Sequence, residues 1–288
     1  MGSVAVVGPG RVGTVLAAAL EHAGHRIVAV AGGGPASQAR FADRFPGMLV
    51  GGLEVCVGAD LVVITTPDDA VPAVARDLAA RDLVPAGQRV VHVAGSLGLQ
   101  PLRPVALAGG RVAACHPAQT VPDAAADPSI LTGAAWAVTA AAPDRRWAHE
   151  LVERMGGVAH DVDDGRRVLY HAGLVIASNA VAAAVSVARQ LLSAARIDDP
   201  EPFLAPLVAR SVDNSLRVGA RAITGPVRRG DAGTLRRHLA ALDGDAPHLA
   251  AAYRSLNQVV LGQVRAVLQR QQAEAVAAAL APTSEGRS

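Results

Sequence analysis

The stretch that decides the fold is Ser3-Val4-Ala5-Val6-Val7-Gly8-Pro9-Gly10-Arg11-Val12-Gly13. Its first part is rich in valine, which is typical of a buried parallel strand. A G-x-G-x-x-G turn follows, and apolar residues at helical spacing continue from Val12 to Leu20. Strand, glycine turn and helix in this order predict a dinucleotide-binding site, whereas the alternative is a glycine turn that binds nothing.

Each glycine has a physical task in such a site. Gly8 permits the tight turn, Gly10 lets backbone N–H groups approach a pyrophosphate, and Gly13 lets the helix pack closely on the strand. The start of the helix adds partial positive charge. The predicted cofactor-binding residues of this turn are Gly8, Pro9, Gly10, Arg11, Val12 and Gly13.

The second strand, residues 26–31, indicates which dinucleotide is bound. An NAD-specific site usually has an acid at the end of this strand, where it holds the ribose 2′-hydroxyl. Here the chain continues through three glycines to Ser37 and Arg40, with no acid. These two side chains are suited to a 2′-phosphate, so we predict NADP, although Arg40 as a merely solvated surface residue is the alternative.

Further apolar runs alternate with helical patterns at residues 59–65, 88–93, 111–115, 133–139 and 158–161. This alternation predicts an α/β N-terminal Rossmann domain, residues 1–161, with a mostly parallel doubly wound sheet. Thr66 and Pro67 follow one of these strands and are expected to face the cofactor. Asp68 or Asp69 is expected to cap the next helix.

Two other strand ends carry Ser96 and His116, so both residues are expected near the nicotinamide. Histidine is well suited to proton transfer at neutral pH, and His116 is therefore a candidate for catalysis or substrate binding. A loop histidine braced by Pro117 is the alternative. His92 lies inside its strand and is interpreted as a packed residue.

From Asp163 to about Ala195 the pattern predicts one long, apolar helix, capped by Asp163-Asp164 and buried by other helices or by a partner subunit. Its polar residues are Tyr170, His171, Ser178 and Asn179, of which the last three are expected to share one polar stripe on a regular helix. Such a stripe either bonds internally or lines a cleft. We predict an all-α C-terminal domain, residues 162–272, and a tail, residues 273–288. Asp231 is expected to cap a helix, and Arg228 to bind an anionic substrate or a partner subunit, or simply to be solvated.

Composition excludes several classes of protein. The 288 residues include 27 basic ones, all arginine, so a P-loop lysine and a lysine Schiff base are excluded. Two cysteines make a disulfide framework unexpected, and 2% aromatic residues offer no stacking platform for nucleic acid. We expect a cytoplasmic protein with no membrane-spanning run, no secretion signal and no metal site.

Together with the glycine turn, four motifs of the chain resemble those of the Rossmann-like proteins with a DUF2520 domain. They are Thr66-Pro67-Asp68-Asp69, Cys115-His116-Pro117, Leu169-Tyr170-His171-Ala172 and Thr224-Gly225-Pro226-Val227-Arg228-Arg229-Gly230-Asp231. That family belongs with ketopantoate, pyrroline-5-carboxylate and prephenate-type oxidoreductases. Ketopantoate reductases rely on a lysine of the long helix, and none exists here. Gly95-Ser96 and His116-Pro117 look like the substrate-binding elements of prephenate dehydrogenases.

The resemblance implies an NAD(P)-dependent oxidoreductase that forms a homodimer through its helices. We predict reduction of a small 2-oxo acid by NADPH, with ketopantoate the first substrate to test. His116 or His171 would donate the proton, Ser96, Ser178 and Asn179 would position the carbonyl, and Tyr170 and Arg228 would bind substrate. The alternatives are an imine reductase and a nucleotide-binding regulatory protein without turnover.

Overall fold

The computed structural model of the chain describes residues 2–123 and 127–282. They divide into two compact units, Met1–Ile176 and Ala177–Ser288. Within the first unit, the described residues form one eight-stranded sheet. Its strands in chain order are β1 (Ser3–Val7), β2 (Arg26–Ala31), β3 (Leu49–Gly51), β4 (Leu61–Ile64), β5 (Arg89–His92), β6 (Arg111–Pro117), β7 (Ala135–Ala140) and β8 (Val158–Asp161).

The spatial order of the strands is β3-β2-β1-β4-β5-β6-β7-β8. All neighbours run parallel except β6 and β7, which pair antiparallel. The strand order reverses between β1 and β4, and open α/β sheets bind ligands at such a point, beyond the carboxyl ends of the strands. The predicted class, a mostly parallel doubly wound sheet, is confirmed.

Both faces of the sheet are covered, as the valine-rich strands predicted. In β1, Val4 and Val6 belong to one buried apolar cluster, whereas Ala5 and Val7 belong to another. This alternation follows from the two-residue period of a strand. The helices of this unit are α1 (Arg11–His22), α2 (Pro35–Arg44), α3 (Val71–Ala80), α4 (Arg103–Leu107), α5 (Ala142–Arg154) and α6 (Arg167–Val175).

Both cysteines lie within this unit. Cys56 and Cys115 are buried as free thiols. Burial is the largest cause that raises the pKa of each thiol, to about 12 in both cases. Neither cysteine therefore carries a thiolate at neutral pH.

The predicted long helix contains an irregular turn. A short 3₁₀ turn, Asp164–Arg166, leads into α6, and one π-helical turn, Ile176–Ala180, joins α6 to α7 (Val181–Ala194). A π turn rotates the residues after it relative to a regular α-helix. The sequence expectation that His171, Ser178 and Asn179 share one polar stripe assumed an uninterrupted helix and was therefore wrong in its angles.

The apolar residues of α6 are not covered within the described chain. Val168 is 70% exposed and Leu169 is 69% exposed. Burial by the chain's own helices, one of the two expectations for this segment, is therefore wrong at these residues. By length and composition alone, the span Asp164–Ala194 is long and apolar enough to cross a membrane, which corrects the expectation that no such run exists. One helix of this kind is weak evidence for a membrane span, because core helices of soluble proteins meet the same criteria.

The second unit is all-helical in its described residues. Its helices are α7, α8 (Glu201–Val218), α9 (Pro226–Arg229), α10 (Ala232–Asp245), α11 (Ala250–Val264) and α12 (Arg270–Ala279). The Asp231 carboxylate accepts from the Thr234 N–H at 2.9 Å, so the predicted cap of α10 is confirmed. One apolar cluster of this unit includes Val276 and Leu280, both fully buried.

The unit boundaries differ from the predicted residues 161 and 272. The first unit continues through α6, whose Arg167 bonds to the sheet, and α12 begins with a capping box between Gln269 and Gln272. Residues 273–279 therefore belong to a packed helix, and residues 280–282 follow its end. The remainder of the predicted tail, residues 283–288, lies outside the described residues.

Candidate active site

The glycine turn closes tightly against the end of β4. Gly8 has a φ of +101°, which favours glycine. The Thr65 hydroxyl donates to the Gly8 carbonyl oxygen at 2.6 Å. A Cβ at Gly13 would overlap that same oxygen and the Thr65 hydroxyl. Gly8 and Gly13 are thus required for the turn and for the approach of α1.

Gly10 differs, since a Cβ built there would meet no described atom within 4 Å. It is the N-cap of α1, and among the described residues no side chain caps this helix start. The first N–H groups of α1 are therefore open to an anion, as a diphosphate site requires. Arg11 at this mouth donates to the Pro122 carbonyl oxygen at 2.9 Å, and the Val12 side chain packs against the core.

Pro9 and Ser37 lie on either side of a second glycine loop. A Cβ at Gly33 would be 3.0 Å from the Pro9 ring and 2.8 Å from the Ser37 hydroxyl. Ser37 donates to the Gly34 carbonyl oxygen at 2.8 Å, which places it in the first turn of α2. Arg40 follows on the same helix and is exposed. Both predicted 2′-phosphate ligands therefore belong to one helix start.

Thr66 and Pro67 follow β4 at the same edge of the sheet. The Thr66 hydroxyl is buried and has no hydrogen-bond partner among the described residues. A Cβ at Gly8 would be 2.9 Å from the Thr66 amide nitrogen. The turn thus fits a dinucleotide through an open helix start, a glycine that leaves free space, and a hydroxyl with unused bonding capacity.

Ser96 is held by Asp68, across the loops that follow β5 and β4. The Ser96 hydroxyl donates to the Asp68 carboxylate at 2.8 Å. No side-chain cap starts α3 among the described residues, so the expected helix-capping role of Asp68 or Asp69 was wrong. Because a serine has one hydrogen to donate, the Ser96 oxygen keeps only the capacity to accept a further hydrogen bond.

His116 and His171 meet over Gly95. Their ring centroids are 5.6 Å apart at an interplanar angle of 86°. A Cβ at Gly95 would lie 2.9 Å from Nε2 of each histidine. The missing side chain of Gly95 therefore makes the room in which both Nε2 atoms converge. The structure brings together the two histidines that the sequence offered as alternative proton donors.

The other ring nitrogen of His116, Nδ1, is hydrogen-bonded to a side chain of α6. Nδ1 of His116 lies 2.9 Å from the Tyr170 hydroxyl, and the two rings form an edge contact with centroids 5.8 Å apart. The Tyr170 hydroxyl, predicted to bind substrate, is thus already hydrogen-bonded to His116.

Burial is the largest cause that lowers the pKa of His116, to about 4, and the Arg167 and His171 side chains lower it further. His116 is therefore a neutral imidazole at neutral pH.

Arg167 is the unexpected member of this site. Its side chain is fully buried, at 0% exposure. Nη2 donates to the Ala94 carbonyl oxygen at 2.7 Å, and Nη1 to the Ala137 carbonyl oxygen at 3.2 Å. Within the described chain no carboxylate lies within ion-pair distance of it, and its Nε has no partner. Backbone carbonyl dipoles of the sheet and of the loop after β5 thus hold a buried positive charge.

Two further residues support the loop after β5. The Asp164 carboxylate accepts from the Leu99 N–H at 2.5 Å and does not cap the long helix as expected. His92 is fully buried; its Nδ1 accepts from the Ala94 N–H at 3.2 Å and its Nε2 lies 2.8 Å from the Gly98 carbonyl oxygen. His92 is a packed residue, as the sequence indicated.

Sequence reasoning missed Arg167 as well as the roles of Asp68 and Asp164. One signal was available for Arg167, since it precedes Tyr170 and His171 by three and four residues. Residues at these spacings share a helix face. The partners of the two aspartates are distant in sequence and carried no such signal.

Three predicted residues belong to the second unit. Ser178 and Asn179 lie in the π turn, where the Ser178 hydroxyl donates to the Asn179 side-chain oxygen at 3.3 Å. Arg228 lies on α9 and is half-buried. Their predicted roles stay predictions. Among residues 2–123 and 127–282, no group of three or more His, Cys, Asp or Glu side chains is placed to hold a metal ion.

Solved structures share this fold across nearly the whole chain. A protein of Bacteroides fragilis named as an NADP oxidoreductase has a TM-score of 0.77 at 21% identity, covering 90% of this chain and 97% of that one. An imine reductase of Myxococcus stipitatus in complex with NADP⁺ has a TM-score of 0.65 at 15% identity, covering 92% and 94%. A prephenate dehydrogenase of A. aeolicus with hydroxyphenyl propionate and NAD⁺ has a TM-score of 0.54 at 15% identity, covering 93% and 96%. At these identities the likeness concerns the fold.

No curated protein matches the chain. A family model described as a Rossmann-like domain matches residues 2–117, and a model described as a domain of unknown function, DUF2520, matches residues 134–260. The two matches follow one another along the chain and agree with the sheet and the helices described above. The chain therefore carries a Rossmann-like domain followed by a DUF2520 domain.

Proposed function

We propose that this protein is a cytoplasmic NADP-dependent oxidoreductase that reduces the carbonyl group of a small 2-oxo acid. The observation that carries the proposal is the convergence of His116 and His171 over Gly95, at the sheet edge that also holds the glycine turn. Similar folds in an NADP⁺-bound imine reductase and a protein named as an NADP oxidoreductase support it.

In this proposal the residues of the glycine turn hold the diphosphate, and Ser37 and Arg40 hold the 2′-phosphate. When bound, NADPH supplies a hydride to the carbonyl carbon. Reduction places negative charge on the carbonyl oxygen, which needs a nearby hydrogen-bond donor. Nε2 of His116 or of His171 is that donor, and Ser96 accepts a hydrogen bond from the product hydroxyl.

The test is oxidation of NADPH, followed over a panel of 2-oxo acids and cyclic imines with ketopantoate included. The proposal expects turnover with a 2-oxo acid. Turnover of imines alone, with a rate nearly independent of pH around neutrality, would establish imine reduction in its place, since a protonated imine accepts hydride without a protein acid. NADPH binding without oxidation by any compound would indicate a regulatory protein.

The preference for NADP is tested at Arg40. We expect Arg40→Ala to weaken NADPH binding about tenfold, because an arginine–phosphate bond is worth roughly 1.5 kcal/mol, and to leave NADH binding unchanged. Arg44→Ala is the matched control, because Arg44 is exposed on the same helix one turn farther from the glycine loop. Fluorescence titration measures the affinities for NADPH and NADH. An equal loss of affinity for both nucleotides, or in both variants, would contradict the assignment of Arg40 to the 2′-phosphate.

We also propose that a second copy of this chain covers the exposed apolar residues of its helices. Large side chains are exposed on α6 and on α8, namely Val168, Leu169, Phe203, Leu207 and Leu216. Exposed apolar surface of this extent marks an interaction site. Light scattering after size exclusion is expected to give twice the chain mass of 29.2 kDa.

Leu216→Arg is expected to shift this dimer toward the monomer. Leu107→Arg, at a similarly exposed leucine on α4, is expected to leave the dimer intact. A monomeric wild type at micromolar concentration, or one that needs detergent or lipid vesicles to stay dispersed, would exclude the dimer.

A further inference from the structure

We propose that Tyr170 supplies the proton for carbonyl reduction through His116, whose imidazole passes it from the phenol at Nδ1 to the substrate oxygen at Nε2. This inference rests on the proposed function and assigns a residue that would act through another. It is carried by the geometry of three neighbours, Tyr170, His116 and Arg167.

The first element is the hydrogen bond between the two rings. Nδ1 of His116 and the Tyr170 oxygen are 2.9 Å apart, whereas Nε2 of His116 lies beside Gly95, 2.9 Å from where a Cβ of that residue would stand. One imidazole nitrogen is thus in contact with a phenol, and the proposal places the substrate oxygen at the other. This is the arrangement of a two-step proton path through a single ring.

The direction of the hydrogen bond follows from the chemistry of the pair. A phenol is a better donor than a neutral imidazole N–H, and an unprotonated imidazole nitrogen is a better acceptor than a phenol oxygen. Tyr170 therefore donates to Nδ1, which leaves the hydrogen of the neutral ring on Nε2. That hydrogen faces the reacting oxygen.

Arg167 supports the phenolate that such a path creates. Its guanidinium carbon lies 5.9 Å from the centre of the Tyr170 ring, and the described chain provides it with no carboxylate at ion-pair distance. Burial raises the pKa of Tyr170, and Arg167 opposes that rise. A buried cation without a directly paired carboxylate is well placed to stabilise a transient anion on its neighbour.

The step balances in atoms and electrons. The carbonyl carbon gains a hydride from NADPH, which is oxidised, and the C=O π bond becomes the lone pair of an alkoxide. The Nε2–H bond of His116 breaks as the alkoxide O–H bond forms, and Nδ1 takes the phenol proton. Tyr170 is left as a phenolate beside Arg167, and the resting state returns when Nε2 takes a proton from solvent and Nδ1 gives its proton back to the phenolate.

The charged and titratable groups around His116 define the expected pH behaviour. They are Arg167, Tyr170 and His171 on α6, Asp68 after β4, and His92 on β5. Asp68 favours the protonated ring, and Arg167, His171 and His92 oppose it. Above about pH 5 the ring is neutral and needs the Tyr170 proton, whereas an imidazolium formed at lower pH carries its own.

The first test needs no turnover. Nitrogen-15 NMR of the histidine rings is expected to show His116 as the neutral Nε2–H tautomer from pH 8 to pH 5, and Tyr170→Phe is expected to convert it to a mixture of tautomers. His116→Gln identifies the signals. An Nδ1–H tautomer in the wild type would overturn the proposal, because Nε2 would then have no hydrogen to give.

The second test is kinetic and compares the two tyrosines of the chain. Tyr170→Phe keeps the ring and is expected to lower kcat about 30-fold near pH 8, less than the usual loss of a direct proton donor, because His116 keeps its own Nε2 hydrogen. The deficit is expected to narrow to a few-fold at pH 5, where imidazolium begins to replace the phenol as proton source. NADPH affinity should not change.

Tyr253→Phe is the matched control. Tyr253 makes an equivalent pair with His238, at 2.6 Å, in the second unit, and it has no part in the proposed path. Its removal is expected to leave kcat unchanged. A Tyr170→Phe deficit that is constant with pH would reduce Tyr170 to a packing role. If the wild type shows the expected tautomer but no compound of the panel supports NADPH oxidation, the proposed function is contradicted. The hydrogen-bond arrangement of the two rings would then still stand.

Discussion

Gly13→Ala is expected to weaken NADPH binding by at least about 100-fold, because the added methyl group has no free space. It would overlap the carbonyl oxygen of Gly8 and the hydroxyl of Thr65. The first of these is backbone and cannot move without opening the turn. We therefore expect α1 to shift away from β4, so that the first N–H groups of the helix no longer converge on the diphosphate. Isothermal calorimetry with NADPH measures the loss.

Gly10→Ala separates this effect from a general loss of stability. Its methyl group would meet no described atom within 4 Å, and Gly10 has an ordinary φ of −81°. The melting temperature should therefore stay at the wild-type value, whereas binding should fall if the diphosphate occupies that space. Gly10→Ala with wild-type affinity would show that the nucleotide does not approach this turn, and the assignment of the site would fail.

Arg167→Met is expected to destabilise the protein by about 3 kcal/mol, because it removes the donors from several buried carbonyl oxygens without restoring water to them. The carbonyl oxygens of Ala94 and Ala137 both accept from this side chain. Methionine fills similar volume and has no N–H, so the loss reports hydrogen bonding and charge more than a cavity. Urea denaturation measures the free energy of unfolding.

Arg166→Met is the matched control, since Arg166 is the preceding residue and is exposed. Its replacement should change the free energy of unfolding by less than about 0.5 kcal/mol. Loss of Arg167 should also raise the pKa of His116, because the arginine is one cause of its depression. The rise should be partial, since burial is the larger cause. Equal stability of the two variants would show that the buried arginine is not part of the structural support.

The sequence was sufficient for the sheet and for the edge at which the site lies. Alternating apolar strands and helices, with a glycine turn after the first strand, leave few topologies open, and the strand ends then bring Ser96 and His116 to one edge. β3 was missed because its three residues, Leu49–Gly51, lie at the sheet border and are partly exposed. So short an edge strand carries little periodic signal.

The partners of the site residues were beyond sequence reasoning. Ser96 with Asp68, and Leu99 with Asp164, join residues that are far apart in the chain, and each aspartate had a satisfactory local explanation as a helix cap. The π turn at Ile176–Ala180 was also hidden, because its residues fit a regular helix equally well. Arg167 was not among the predicted site residues, because its burial against the sheet cannot be seen in a sequence that gives Arg166 and Arg167 side by side. Tertiary contacts decided all of these cases.

The buried thiols make the chain a convenient host for selective chemistry. Cys56 and Cys115 have pKa values of about 12, so thiol-directed dyes will react slowly with the native fold. A cysteine introduced at an exposed site can therefore be labelled without first removing the natural ones. Since the sequence also has no lysine, amine-directed reagents are left with the α-amino group. Two orthogonal probes can thus be attached to one otherwise unaltered chain, which suits distance measurements as nucleotide is added.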